Sequence, residues 1–65
     1  MHQLGCEIRS RRIEQGLSQA KLGLMINSGQ SYIYRIEAGR VKVGVDKLIR
    51  IADALDVDVK DLINF

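Results

Sequence analysis

Apolar positions along the chain fall into five groups with helical spacing, separated by short polar breaks. In the first group Leu4, Ile8 and Arg12 recur at i, i+4 and i+8, with Cys6 and Ile13 close to the same stripe. That spacing predicts a helix over 2–15, ended by Gly16. In the second, Leu22, Met25 and Ile26 face inward from a helix over 18–26. Ser18 is its N-cap, and Leu17 and Leu22 sit at the spacing of a hydrophobic staple. Asn27-Ser28-Gly29 reads as a turn, since Asn and Gly tolerate positive φ. A third helix over 29–38 places Ile33 and Ile36 about 60° apart on its wheel, with Glu37 beside them. Gly39 ends it, and the loop 39–44, GRVKVG, follows. Leu48, Ile51, Ala52 and Leu55 give a core stripe for a helix over 45–55. A last helix over 58–64 is capped by Asp58, with Asp61 at a box-like position and Val57 and Leu62 as a second staple. Ile63 and Phe65 end the sequence in apolar side chains, which can tuck onto their own core or pack on a second copy. The class is all-α, with five helices.

Sixty-five residues allow one domain, 1–65, with a core small enough that oligomerisation would help to stabilise it. The formal charge of +2 matters less than its distribution. Seven Lys and Arg against three Glu give residues 1–42 a charge of +4; three Lys and Arg against five Asp give residues 43–65 a charge of −2. A basic first part suits a protein that turns one side to a polyanion. No run of about 18 apolar residues is present, so no membrane span is expected. The N-terminal stretch lacks the apolar region of a secretory signal. The single cysteine, Cys6, cannot form an internal disulfide and suits a reducing cytoplasm.

Candidate chemistry concentrates on the third helix. Gln30, Ser31, Tyr34, Arg35 and Ala38 fan across the side opposite Ile33 and Ile36. Amide, hydroxyl, phenol and guanidinium groups are the ones that read base edges in a DNA major groove. A merely solvated helix more often carries Lys and Glu in i,i+4 pairs. Arg40 and Lys42, in a loop without an acid, are placed to neutralise phosphates. Catalytic chemistry is not visible. His2 is the one histidine and Cys6 the one cysteine, too few to build a zinc site. No glycine precedes a GK[ST] sequence, and Asp53, Asp56, Asp58 and Asp61 are spread along helix ends rather than along a calcium loop. A non-enzyme with no metal, cofactor or small-molecule ligand is expected.

Residues 17–39, LSQAKLGLMINSGQSYIYRIEAG, resemble the helix-turn-helix of lambda repressor/Cro-type DNA-binding domains, the XRE family. The resemblance runs from Leu4 to about Leu62 and includes RRIEQGLSQ at 11–19, GQSYIYRIEAG at 29–39 and LIRIADALDV at 48–57. It implies a five-helix lambda repressor-like domain, with the second and third helices as the helix-turn-helix. It further implies a sequence-specific, double-stranded DNA-binding transcriptional regulator. Gln30, Ser31, Tyr34 and Arg35 would contact bases; Ser18, Gln19, Tyr32, Arg40 and Lys42 would contact phosphates. Gln19 would also brace Gln30, and Arg12 would form a structural ion pair with Glu37. A homodimer, joined near Ile63 and Phe65, would read a pseudo-palindrome with half-sites about 34 Å apart or a multiple of that. Several positions depart from the family pattern. Gly23 stands where Ala is usual, Asn27 where Gly is usual, and Ser28 where an apolar residue is usual. Gly29 replaces a Ser or Thr cap, Val43 a proline, and Asp56 a glycine. The rival is a protein-interaction module, antitoxin-like or adaptor-like, with reduced DNA binding.

Overall fold

The computed structural model describes residues 2–63, as five helices: α1 (His2–Glu14), α2 (Gln19–Met25), α3 (Gln30–Glu37), α4 (Val45–Ala54) and α5 (Val59–Leu62). No strand occurs among the described residues. The expected helical end at Asn64, the apolar contact of Phe65 and the side chain of His2 lie outside the described residues.

One device ends each of the first four helices. A residue with positive φ follows the last turn: Gly16 (71°), Asn27 (61°), Gly39 (72°) and Asp56 (59°). The reversed backbone folds later N–H groups onto carbonyls that the helix leaves unpaired. Leu17 N–H donates to Arg12 O, Ser28 N–H to Gly23 O, Arg40 N–H to Arg35 O and Val57 N–H to Ala52 O, all at 2.7–3.0 Å. Asn and Asp replace glycine at two of the four sites, because their short polar side chains tolerate the left-handed region best after Gly. The helix starts vary more. Ser18 Oγ accepts from Lys21 N–H at 3.0 Å, while Gly29 and Gly44 cap without a side chain. At α5, Asp61 reaches back to accept the Asp58 N–H at 3.0 Å.

The core is aliphatic throughout. Leu4 and Ile8 of α1, Leu22 and Ile26 at α2, Ile33 and Ile36 of α3, Leu48, Ile51 and Ala52 of α4, then Leu55 and Leu62, are all buried. Each fully buried Leu or Ile contributes roughly 1.5–3 kcal/mol relative to an exposed one. Leu17, Tyr32, Val41, Val43, Val57 and Val59 seal its edges.

One expected inward position differs, and two residues near the α1 stripe lie outside it. Met25 is 46% exposed, because Leu22 and Ile26 fill the inward direction and leave Met25 at the rim, beside Arg50 and Ala54 of α4. Cys6 and Ile13 also turn outward, so α1 buries a narrower stripe than its apolar content suggests. In its place Gly5 is buried, and this decides how close α1 comes to α3.

Candidate nucleic-acid interface

The α2–turn–α3 unit is held by close backbone approach. A Cβ on Gly23 would lie 2.8 Å from both the carbonyl carbon and oxygen of Gly29. Even the Ala usual at this position in the family would force the turn to shift. From the other side, a Cβ on Gly5 would lie 2.9 Å from Glu37 O and nearer still to Ile36 O. The start of α3 is thus pinned by α2, and its end by α1. Glycine in the interior of α1 loses roughly 1 kcal/mol of helix propensity, a legible sign that backbone comes close. Periodicity alone does not single Gly5 out, because the backbone it meets lies on α3.

On the inner side of α3, Ile33, Ile36 and Glu37 are buried. Gln30, Ser31, Tyr34, Arg35 and Ala38 are all exposed, as the wheel predicted. Arg35 Nε donates to Ser31 O at 3.4 Å, so that side chain lies back along its own helix. Tyr32 stands apart: it is half-buried against the core edge, with Lys47 Nζ 5.6 Å from its ring centroid.

Glu37 is the hub beneath this face. Arg12 Nε donates to Oε2 at 2.7 Å and Nη2 to Oε1 at 3.1 Å, a bidentate pair from α1 to α3. Arg12 Nη1 donates to Leu17 O at 2.7 Å, tying the α1–α2 connection to the same guanidinium. The two side chains are only 11% and 4% exposed, so the charges depend on each other. Gln19 Nε2 completes the site with a 3.2 Å bond to Glu37 Oε1. This bond leaves Gln19 a second amide hydrogen and its carbonyl oxygen for the expected brace to Gln30. A buried carboxylate has four lone-pair directions to fill, and it takes the nearest spare amide. Among the described residues no buried side-chain nitrogen or oxygen lacks a hydrogen-bond partner.

The Gln19–Glu37 bond brings the start of α2 beside the end of α3. Ser18 and Gln19 therefore flank the same end of the polar face that Arg40 and Lys42 follow in sequence, and Ser18, Arg40 and Lys42 are exposed. Gln30, Ser31, Tyr34 and Arg35 stand exposed on α3, and the exposed cations Arg40 and Lys42 follow it in sequence. No set of three or more His, Cys, Asp or Glu side chains placed to hold a metal occurs among the described residues.

A short helix pair with a tight turn, carried on three supporting helices and presenting a polar outer face, defines a lambda repressor/Cro-type module. The chain belongs to the helix-turn-helix family of that type, whose sequence model matches residues 8–62. Control protein C.BamHI of Bacillus amyloliquefaciens is 36% identical over 62 residues, covering 94% of this chain and 76% of that protein. The restriction-modification controller protein C.AhdI from Aeromonas hydrophila superposes with a TM-score of 0.91 at 30% identity, covering 94% of this chain and 88% of that one. The P22 c2 repressor protein, solved in complex with a synthetic operator, gives a TM-score of 0.87 at 26% identity, with 95% and 94% covered.

Proposed function

We propose that this chain is a sequence-specific, double-stranded DNA-binding transcriptional regulator, acting as a homodimer on a pseudo-palindromic operator and catalysing no reaction. The observation that carries this is the outward face of α3, where Gln30, Ser31, Tyr34 and Arg35 stand exposed on a helix buttressed from both ends. An α-helix about 10–12 Å across fits a major groove about 12 Å wide. With α3 in that groove by its N-terminal end, Gln30 and Ser31 reach bases first, and Tyr34 and Arg35 follow one turn later. Gln pairs bidentately with adenine and Arg with guanine. Ser18, Gln19, Tyr32, Arg40 and Lys42 border the groove and bond phosphates, which fixes register without reading sequence. Gln19 has a second amide hydrogen and a carbonyl oxygen left after its bond to Glu37.

The family and the named control and repressor relatives support regulation rather than catalysis. Dimerisation falls to the α5 end, where Ile63 is 47% exposed; Phe65 extends the same apolar end in sequence. A cytoplasmic location, with access to DNA, goes with this function.

Selection of bound duplexes from a random DNA pool tests it, followed by titration of the winner against scrambled DNA at fixed salt. A two-fold motif bound about a thousand times more tightly than scrambled DNA is expected. Absence of any enriched motif would overturn the proposal in favour of a protein-interaction module.

A further inference from the structure

The start of α3, the end that enters the groove, is loosely built by local means. Gly29 at its N-cap supplies no side-chain oxygen, and Ile33 N–H reaches Gly29 O only at 3.4 Å. In α2, by contrast, Ser18 caps directly. The missing restraint comes from α4. Lys47 Nζ donates to Ser28 Oγ at 2.9 Å, and the same ammonium lies 5.6 Å from the Tyr32 ring centroid, within cation–π range. Ser28 precedes the cap and Tyr32 lies in the first turn of α3, so Lys47 grips both sides of Gln30 and Ser31. Its side chain crosses 19 positions of sequence to do so, and the residue is half-buried.

We infer that Lys47 is a positioning residue for base reading: it holds the start of α3 in register with the groove through Ser28 and Tyr32, and contacts no phosphate. The inference rests on the DNA-binding function proposed above. Lys47→Met keeps the aliphatic stem and removes the ammonium. For this variant, affinity for the selected duplex falls about tenfold, the order of one bidentate base contact. Affinity for scrambled DNA falls far less, and the slope of log K against log salt stays unchanged, since Tyr32, the one proposed phosphate ligand that Lys47 touches, is uncharged and remains. Lys47→Arg, which keeps a donor and a cation, restores most of the discrimination. A measurement without DNA accompanies these: in Lys47→Met, amide hydrogen exchange quickens over 28–33 and is unaltered at Leu22 and Ile51. An equal loss on both duplexes with a slope shallower by about one overturns the inference and makes Lys47 a phosphate ligand. Unchanged exchange at 28–33, or unchanged discrimination, overturns it also. A wild-type chain that selects no duplex overturns it together with the DNA-binding function, an outcome visible before any variant is made.

Discussion

At the scale of single residues, Glu37 holds the most together. It accepts two bonds from Arg12 and one from Gln19 while almost fully buried. Glu37→Ala leaves the Arg12 guanidinium buried without its counter-charge, and a loss of about 3–5 kcal/mol is expected in urea unfolding. Replacing both partners by apolar residues, as in Arg12→Met with Glu37→Leu, should recover most of that loss. A double variant as unstable as the single one would refute mutual compensation. Gln30 acts outward instead. Gln30→Ala should lower affinity for the selected duplex by about 1–3 kcal/mol and leave scrambled DNA nearly untouched. Lys42→Ala should weaken both alike, because a phosphate contact has no sequence preference. Competition titrations of the two variants against both duplexes separate these roles; a uniform loss for Gln30→Ala would remove it from the base-reading set.

At the scale of elements, the glycines divide by what surrounds them. Gly5 faces the last carbonyls of α3, and an added Cβ has no room there. Gly5→Ala gains roughly 1 kcal/mol in helix propensity. Pushing α1 away from α3 loses more, since overpacking against fixed backbone costs about 1–3 kcal/mol. Gly29 is the reverse case. Nothing lies within 4 Å of an added Cβ, and φ −99° with ψ 168° suits a Ser cap. Gly29→Ser should therefore stabilise the domain by a few tenths of a kcal/mol. Thermal unfolding decides both, with Gly5→Ala expected below the wild type and Gly29→Ser slightly above. A raised midpoint for Gly5→Ala would show that the two helices can part freely.

At the scale of the whole molecule, charge divides along the sequence. The positive excess lies in residues 1–42, which carry the polar face of α3 and its bordering cations. The acidic remainder includes Asp53, Asp56 and Asp58 around a shallow depression at the α4–α5 junction. A basic first part suits contact with a polyanion. Exposed Ile63 stands at the end of α5. Ile63→Asp is expected to shift sedimentation from dimer to monomer and to weaken operator binding, while far-ultraviolet circular dichroism stays helical. A variant that remains dimeric would move the interface elsewhere.

What the residues determined unaided is what short-range physics controls. Helical spacing identified Ile33 and Ile36 as inward and Gln30, Ser31, Tyr34 and Arg35 as outward. Local backbone chemistry located the turns at Gly16, Asn27 and Gly39 and the cap at Ser18. The ion pair of Arg12 and Glu37 was legible only through family resemblance, because the partners lie 25 positions apart. Periodicity says which side of a helix is buried, not what meets it. Met25 reached the rim, Gln19 bonded Glu37, Gly5 met the end of α3, and Lys47 closed on Ser28. Each of those outcomes depends on how closely and at what angle two helices cross, a balance of packing summed over the core. Only the tertiary structure decides it.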